Sequence, residues 1–320
     1  MSSKMLIPPG CTSCLHKYYA GLMSTFGNLR NLERIPQLAV KAFIGTCILF
    51  LPVNICVIGC GAIGTTIARA VNDMQNIEIV YLTDRSKECA TRLQEKIPKV
   101  RYVADRVPIL HDIRLVAEAA SQDAARYYAP LALSAGVDTL IMSVGVFQDE
   151  EFQGDTFRLA KRKGAKVFIP SGAIGGIDAL CAASLEEIDE VTLTTTKPPS
   201  AFAPNPYLDS KGIIASELRT RTEIFFGTAR EAVKHFPQNI NVAATISLAG
   251  IGFERTKIRI MCDPQVKTNE HHLMARGKFG ELDVVTRNVP SPRNPKTSYL
   301  AALSAISAIK KITGSTWIGV

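Results

Sequence analysis

The sequence has 320 residues, 47% apolar and 21% charged, which is enough to bury a sizeable core in two domains and excludes a disordered, collagen-like or disulfide-dominated protein. The formal net charge is +8, but residues 1–52 hold five basic side chains against one acid, leaving 32 basic and 28 acidic residues without a basic stripe. We therefore expect no nucleic-acid partner, whereas a small anionic substrate fits this weak charge.

Residues 1–52 differ in composition from the rest of the chain. They are basic, nearly free of acids, and end in the apolar run Ala42–Leu51. A membrane span needs about 20 apolar residues, and reaching that length here would include Pro52 and Asn54. We expect no membrane span, and interpret these residues as a poorly ordered extension or a helix packed outside the domain.

The eight cysteines are scattered, and several lie within apolar strand or helix patterns. Free thiols in such positions pack as small hydrophobic groups, which indicates a reducing compartment and predicts a cytoplasmic protein. The pair Cys11 and Cys14 has metal or redox spacing. Zinc needs four ligands, and no second pair accompanies this one, so we predict no metal site.

From Val53 the pattern alternates between short β-branched runs and stretches of helical period. Strands that are apolar on both faces and alternate with helices of 10 to 15 residues are typical of a parallel sheet covered on both sides. This pattern predicts an α/β fold with a doubly wound (Rossmann) sheet over residues 53–171. The predicted strands are Asn54–Ile58, Ile77–Thr83, Ile113–Val116, Thr139–Val144 and Val167–Ile169, and the helices are Ala62–Val71, Lys87–Ile97, Asp123–Leu133 and Glu150–Lys161.

After Gly172 the rhythm changes to alternating strands with fewer helices. Residues 172–297 are predicted to form a smaller α+β domain with a mixed or antiparallel sheet, suited to a substrate pocket and a dimer face, and residues 298–320 a C-terminal helix and tail. The predicted elements are a strand at Val191–Thr196, a helix at Ile224–His235, a strand at Lys257–Cys262, a hairpin of His271–Arg276 with Leu282–Val289, and a helix at Ser298–Ile312.

A glycine-rich turn directly follows the first predicted strand and opens the first helix. Its sequence is Gly59-Cys60-Gly61-Ala62-Ile63-Gly64, and Asp84 closes the second strand 25 residues after Gly59. Such glycines allow a tight turn, a close approach to a pyrophosphate and close helix packing, while the acid accepts the ribose hydroxyls. We predict that this segment binds a dinucleotide. Asp84 favours NAD, and Arg85 beside it leaves NADP open.

A second glycine-rich junction, Ser171–Asp178, follows the last strand of the predicted parallel sheet. Ligands lie at the carboxyl ends of such strands, so its backbone amides could meet either nicotinamide or substrate.

Several short motifs occur together and in order over residues 53–312. This set resembles the L-aspartate dehydrogenase family. The motifs are Cys-Gly-Ala-Ile-Gly at 60–64, Met-Ser-Val-Gly at 142–145, Pro-Ser-Gly-Ala-Ile-Gly-Gly-Ile-Asp-Ala-Leu at 170–180, Thr-Lys-Pro-Pro at 196–199, Ala-Arg-Glu-Ala at 229–232, Phe-Pro-Gln-Asn-Ile-Asn-Val-Ala-Ala at 236–244, Leu-Ala-Gly at 248–250 and Asn-Pro-Lys-Thr-Ser at 294–298.

The resemblance implies an NAD(P)-linked oxidation of L-aspartate to iminoaspartate, which then yields oxaloacetate and ammonia or enters quinolinate and NAD synthesis. It also implies a homodimer built through the second domain. Carried over residue by residue, it marks Ala173 and Asn241 as cofactor contacts and His271 as the catalytic histidine. The family often has a basic residue before the lysine of its Lys-Pro motif, where this chain has Thr196.

The chemistry of the residues agrees with a histidine as the proton acceptor. Hydride leaves Cα only when the amine is neutral, so a base must first take a proton from the ammonium group. His271 and His272 are neighbours on a predicted strand and therefore point to opposite faces. Only one can face the cleft, and the register of the family selects His271. Composition alone would also allow two polar residues on an exposed hairpin.

An aspartate substrate brings two carboxylates, which require cations or amide and hydroxyl donors. Our hypothesis assigns this role to Lys197 and Lys296, with Thr297 and Ser298 as hydroxyl donors. Each has an alternative: the lysines could be solvated surface residues, and Thr297 or Ser298 could cap the last helix.

Other functions share this architecture. A semialdehyde or glyceraldehyde-phosphate dehydrogenase needs a nucleophilic cysteine at the start of its second domain, but Cys181 is predicted within a helix. A sugar oxidoreductase of the Glu-Lys-Pro type needs an acid where Thr196 stands. Another alternative is a catalytically silent NAD-binding sensor, because a fold alone does not fix a function.

Overall fold

The computed structural model describes residues 52–104, 108–202, 205–236, 241–292 and 294–319. The predicted extension, including the pair Cys11 and Cys14, lies outside these ranges except for Pro52. Of Pro108, Pro295 and Lys296 only the backbone is described.

The first half of the described chain forms a six-stranded parallel sheet with the strand order β3-β2-β1-β4-β5-β6. Its central strands are buried on both faces, because helices cover both sides. The strand order changes direction between β1 and β4: the chain adds strands on one side of β1 up to β3 and then on the other side from β4 onward. In such folds ligands bind in the crevice at the carboxyl ends of these two central strands. The strands are β1 Val53–Ile58, β2 Ile77–Thr83, β3 Val100–Tyr102, β4 Leu115–Glu118, β5 Asp138–Ile141 and β6 Val167–Phe168.

Four helices connect these strands, and their ends carry the local signals of helix boundaries. Side-chain oxygens of Ser86, Ser121 and Asp149 accept hydrogen bonds from backbone N–H groups in the first turns of the last three helices. The helices are α1 Ala62–Asn72, α2 Lys87–Lys96, α3 Gln122–Ser134 and α4 Glu150–Lys163.

The second half forms a five-stranded mixed sheet with the order β11-β10-β7-β9-β8. Strands β7 and β9 are parallel, and the other neighbours are antiparallel. The strands are β7 Ile188–Lys197, β8 Thr222–Thr228, β9 Lys257–Cys262, β10 Asn269–Gly277 and β11 Gly280–Asn288, and the helices are α5 Ile177–Ala183, α6 Pro206–Ser210, α7 Ala229–His235 and α8 Asn241–Ala249. Short 3-10 helices lie at Pro108–His111, Val144–Gln148, Pro199–Ala201 and Ala215–Glu217.

The helix predicted over Ile224–His235 is wrong in its first half. Residues Thr222–Thr228 form strand β8, which pairs with β9, and only Ala229–His235 is helical. Thr228 starts the helix through a capping box with Glu231. The aromatic run before it favours a strand once a neighbouring strand offers a partner.

The end of the chain returns to the first sheet. Strands β12 (Pro290–Ser291) and β13 (Asn294–Ser298) pair with each other, and helix α9 (Tyr299–Thr313) follows. Its residues Ala305 and Ile309 are fully buried in the core of the first sheet. The segment before α9 is thereby brought close to the carboxyl edge of that sheet.

The predicted fold class, a doubly wound parallel sheet followed by an α+β domain with a mixed sheet, is confirmed. No helix within the described ranges combines the length and apolar composition that a membrane crossing requires.

Candidate active site

The glycine-rich loop after β1 has the geometry of a phosphate-binding turn. Gly59 has a φ of +101°, and a Cβ on Gly64 would lie 1.9 Å from the carbonyl oxygen of Gly59, so both positions exclude larger residues. In contrast, a Cβ on Gly61 would meet nothing within 4 Å. Gly61 also precedes α1 without a side-chain cap, which leaves the first N–H groups of the helix to a ligand.

Asp84 stands beside this loop at the end of β2. Its Oδ2 accepts a hydrogen bond from the backbone N–H of Cys60 (2.7 Å), and its Oδ1 accepts one from Ser86 (2.8 Å). Burial alone would raise the pKa of Asp84, but these hydrogen bonds outweigh it and hold the pKa below its usual value. The carboxylate is therefore charged, and each oxygen has a further lone pair for a ribose hydroxyl.

Cys60 lies within the loop but is unsuited to nucleophilic chemistry. Burial, followed by the neighbouring Cys89 and Asp84, raises the pKa of its thiol far above the usual value. The thiol is therefore unreactive and packs as a small buried hydrophobic group.

Glu118 is a buried acid that sequence reasoning missed. It ends β4, and its carboxylate accepts hydrogen bonds from the backbone N–H groups of Ala120, Ser121 and Ser143 and from the Ser143 hydroxyl, at 2.7 to 3.0 Å. Burial raises the pKa of Glu118 although these bonds oppose the shift. The side chain joins the loops after β4 and β5 at the edge that faces the cleft. An acid ending a buried parallel strand is the signal that could have revealed it.

Polar side chains of the second sheet share the face that lines the cleft. His271 on β10 lies opposite Thr195 on β7 and Thr286 on β11, and its Nδ1 is 3.0 Å from Oγ1 of Thr195. Lys197, two residues after Thr195 on β7, and Asn269, two residues before His271 on β10, lie on the same face. His271 is 4% exposed and Lys197 is 6% exposed.

His272 points to the other face, as predicted from strand alternation. Its side chain is 35% exposed, and Nε2 lies 2.9 Å from Oδ1 of Asp283. Thr196 likewise points away from the cleft, and its hydroxyl accepts a hydrogen bond from Arg221. The side chain at position 196, where the family often has a basic residue, therefore does not line the cleft.

The two buried bases of the cleft have strongly shifted pKa values. Burial, and secondly the positive charge of Lys197, lower the pKa of His271 to about 3. Burial lowers the pKa of Lys197 to about 8. At neutral pH the histidine is therefore neutral and the lysine is still mostly charged.

Residues from both halves of the chain line one cleft of about 740 Å³, part of which is open to solvent. Seven of the predicted site residues line it: Ile63, Ala173, Lys197, Asn241, His271, Thr297 and Ser298. Gly59, Gly61, Ala62, Gly64 and Asp84 form the adjoining turn at the ends of β1 and β2. The side chain of Lys296 lies outside the described residues.

The loop that carries Ala173 is fixed by side chains of the second sheet. Asn288 donates a hydrogen bond to the carbonyl oxygen of Ala173 (2.8 Å), and Oγ1 of Thr286 accepts one from the N–H of Gly175 (3.2 Å). Asn241 begins α8, and its Oδ1 accepts a hydrogen bond from the N–H of Gly145 (3.1 Å). These contacts tie the cleft-lining loops of the two halves together.

The hydroxyl groups near the start of α9 also lie in the cleft. Ser298 occupies the N-cap position of α9, yet its side chain makes no capping hydrogen bond there, and Oγ instead accepts a bond from Asn269 (3.4 Å). Oγ1 of Thr297 accepts one from Asn294 (3.2 Å). Neither hydroxyl caps the helix. Within the described ranges, no cluster of three His, Cys, Asp or Glu side chains could hold a metal ion.

Two family models match this chain. Residues 178–312 match the C-terminal domain of aspartate dehydrogenase, and residues 59–170 match the NAD-binding domain of homoserine dehydrogenase.

Similar proteins and structures extend these matches over most of the chain. An L-aspartate dehydrogenase from Methanosarcina barkeri is 48% identical over 268 residues, which are 82% of this chain and 98% of that protein. One from Methanocaldococcus jannaschii is 39% identical over 82% of this chain and 98% of its own length. The crystal structure of aspartate dehydrogenase from Thermotoga maritima is 32% identical, with a TM-score of 0.67, and the match covers 83% of this chain and 99% of that one.

A homoserine dehydrogenase from Thiobacillus denitrificans shares the fold, with a TM-score of 0.54 at 14% identity over 82% of this chain and 73% of that one. Relatives of 39 to 48% identity that align over nearly their whole length show the family directly. On this ground the chain belongs to the L-aspartate dehydrogenase family.

Proposed function

We propose that this protein oxidises L-aspartate with a nicotinamide dinucleotide, giving iminoaspartate and then oxaloacetate and ammonia. The observation that carries the proposal is one cleft in which a buried neutral histidine, His271, and a buried lysine, Lys197, lie next to the loops of a dinucleotide-binding sheet. A dicarboxylic amino acid needs both groups, one for its ammonium proton and one for a carboxylate.

The residues fit a dinucleotide. The open space at Gly61 and the N–H groups that begin α1 are suited to the pyrophosphate, and the charged Asp84 is suited to the adenine ribose. Ala173 and Asn241, which line the cleft, are placed to contact the nicotinamide end. We propose a preference for NAD, since a carboxylate at position 84 repels the 2′-phosphate of NADP.

Lys197 is the proposed partner of a substrate carboxylate. Lys197 is buried, which lowers its pKa, and an anion that enters the cleft offsets the cost of burying its charge. The hydroxyls of Thr297 and Ser298 supply further donors from the other side of the cleft. Together they distinguish a substrate with two carboxylates from one with a single carboxylate.

His271 is the proposed proton acceptor. Its pKa of about 3 belongs to the cleft without substrate, where burial and the charge of Lys197 both disfavour the imidazolium ion. A carboxylate bound at Lys197 offsets the second of these causes, the positive charge of the lysine, and so raises the pKa of His271 above its value without substrate.

The proposed reaction uses His271 as the base, the bound dinucleotide as the hydride acceptor and one water molecule. His271 takes a proton from the ammonium group of aspartate, and the amine lone pair forms the C=N bond as hydride leaves Cα. The dinucleotide, when bound, supplies the hydride acceptor. Water adds to the imine carbon and ammonia leaves, which gives oxaloacetate. Release of the imine before water adds would instead supply the synthesis of quinolinate and NAD.

We also propose that the protein is a cytoplasmic homodimer formed through its second domain. No disulfide joins the five cysteines that the structure describes, Cys56, Cys60, Cys89, Cys181 and Cys262, which suits a reducing compartment. Strand β11 lies at one edge of the second sheet and exposes Val285, so it offers a surface for a second copy. Sedimentation of the purified protein gives its mass in solution and so distinguishes a dimer from a monomer.

The function is tested with purified protein, a panel of amino acids and both cofactors, followed by the absorbance of the reduced cofactor. We expect turnover of aspartate above glutamate and alanine, and a lower KM for NAD than for NADP. His271→Ala should lower kcat by roughly 10²- to 10⁴-fold, the usual contribution of a general base, while the Kd for NAD stays unchanged.

His272→Ala is the matched control, because it removes the neighbouring imidazole on the opposite face. A protein that binds NAD but forms no reduced cofactor with any amino acid would be a sensor rather than an enzyme. Equal loss of activity in both variants would remove His271 from its proposed role.

A further inference from the structure

We propose that Thr195 is a positioning residue: its hydroxyl accepts a hydrogen bond from Nδ1–H of His271 and thereby leaves Nε2 as the proton acceptor. This inference rests on the proposed function of His271. Thr195 is not among the residues that the sequence motifs single out.

The geometry of the pair is direct. Thr195 on β7 and His271 on β10 are opposite each other in an antiparallel pair, and Oγ1 and Nδ1 are 3.0 Å apart. Both residues are buried, with exposures of 5% and 4%. The Thr195 hydroxyl is therefore the protein group that meets Nδ1.

The direction of the hydrogen bond follows from the chemistry. If the hydroxyl donated to Nδ1, the ring proton would lie on Nε2, and neither nitrogen could take a proton from substrate. If the hydroxyl accepts from Nδ1–H, Nε2 carries the free lone pair. After Nε2 is protonated, Nδ1–H still donates to the same oxygen. The accepting arrangement therefore serves both states of the ring without movement.

A neutral partner also fits the charges around the histidine. Among the described residues, the charged group that shifts His271 is Lys197 on β7, and no carboxylate does so. A carboxylate at Nδ1 would hold a proton on the ring in the empty cleft. A hydroxyl fixes the tautomer without that effect, so the imidazole stays neutral until a substrate carboxylate arrives.

The first test compares Thr195→Val, which keeps the shape and removes the hydroxyl, with Thr195→Ser, which keeps the hydroxyl. Loss of one such hydrogen bond should lower kcat for aspartate roughly tenfold in the valine variant, with an unchanged KM for NAD. The serine variant should recover most of the activity. Thr194→Val is the matched control, since Thr194 is the preceding residue of β7 and points to the other face.

The second test reads the tautomer and needs no activity. The chain has five histidines, so ¹⁵N labelling of histidine gives few imidazole signals, and the one missing in His271→Asn identifies His271. Couplings from each nitrogen to the ring protons show which nitrogen carries the proton. Wild-type protein near pH 7 should show His271 protonated at Nδ1, and Thr195→Val should shift it to Nε2–H.

The outcomes separate the two proposals. A wild-type ring protonated at Nε2 overturns the inference about Thr195 whatever the kinetics show, and so does a valine variant with wild-type kcat. If the wild-type protein does not turn over aspartate, the proposed function is wrong. Thr195 then has no catalytic base to position, even if His271 is protonated at Nδ1 as expected.

Discussion

Lys197 is a buried cation on the cleft face of β7, and its burial has a cost that substrate can offset. The fall of its pKa from 10.5 to about 8 corresponds to about 3 kcal/mol against the charged form in the folded protein. Proteins keep such groups where function needs them, because an apolar residue of similar size would be at least as stable. Substrate recognition is the function that the cleft suggests.

We therefore expect Lys197→Met to separate binding from stability. Loss of the buried charge partner should raise the KM for aspartate roughly a hundredfold, since breaking such a pair costs several kcal/mol. The KM for NAD should not change, and the free energy of unfolding without substrate should be equal to or above that of the wild type. Steady-state kinetics and urea unfolding measure the two effects.

Lys278→Met is a suitable control for this variant. Lys278 lies in the turn between β10 and β11 and pairs with Glu187 at the surface, so the same substitution there should leave both KM values unchanged. Equal increases in the KM for aspartate and for NAD in Lys197→Met would place Lys197 outside the substrate site.

At the scale of elements, two glycines at the junction between β1 and α1 have different roles: Gly64 allows close packing of the main chain, and Gly61 leaves space for a ligand. Gly64→Ala places a Cβ 1.9 Å from the carbonyl oxygen of Gly59, so the main chain has to move. Gly61→Ala meets no protein atom within 4 Å, and its φ of −67° suits alanine. The first substitution should affect the fold, and the second only a ligand that approaches the loop.

We expect Gly64→Ala to lower the free energy of unfolding by roughly 2 kcal/mol or more, and Gly61→Ala to leave it unchanged or slightly higher. Both should weaken NAD binding, Gly61→Ala by blocking the pyrophosphate. Urea unfolding without cofactor and titration calorimetry with NAD measure these quantities. Normal NAD affinity in Gly61→Ala would show that this loop does not hold the phosphates.

Most elements of the first sheet could be predicted because their signals are local, but strand β3 (Val100–Tyr102) was not predicted. Strand Ile77–Thr83 has the predicted bounds, and helix α1 extends only one residue past the predicted end at Val71. The segment Ile224–His235 could not be assigned in the same way. Its first half is a strand because it pairs with β9, which begins 29 residues after β8 ends.

Some residues of the candidate site could be predicted from the sequence and others could not, again because some signals are local and others depend on distant parts of the chain. His271 carried a motif and a strand register, and the structure places it in the cleft as expected. Thr195 and Asn288 belong to the site because they contact His271 and the carbonyl oxygen of Ala173, which lie on other segments of the chain. Glu118 belongs to it because it joins two loops at the edge of the first sheet. The contacts of Thr195 and Asn288 depend on long-range strand pairing, which no local pattern in the sequence indicates, whereas the position of Glu118 at the end of a buried strand was a local signal. The roles of the predicted residues and the domain boundaries stay predictions.

At the scale of the whole molecule, the buried groups of the cleft link its chemistry to the stability of the protein. His271 has a pKa of about 3 when folded and about 6.5 when exposed. Below pH 6.5 His271 is therefore protonated in the unfolded chain but stays neutral in the folded protein. Because the unfolded state binds more protons, the free energy of unfolding falls as the pH falls toward 3. Glu118 acts in the opposite direction, because its raised pKa lets the folded protein take up a proton first.

We expect the free energy of unfolding without ligands to fall by about 1.5 kcal/mol between pH 6.5 and pH 5 through His271 alone. The contribution is isolated by comparison with His271→Gln, which keeps a polar side chain but cannot be protonated. Glu118 and the surface acids are the same in both proteins, so their effects cancel in the difference, and Lys197 stays charged throughout this range. Urea unfolding at the two pH values gives the four free energies needed. If the glutamine variant lost as much stability as the wild type, His271 would be solvated in the folded protein, and the buried, neutral base on which the proposed reaction depends would not exist.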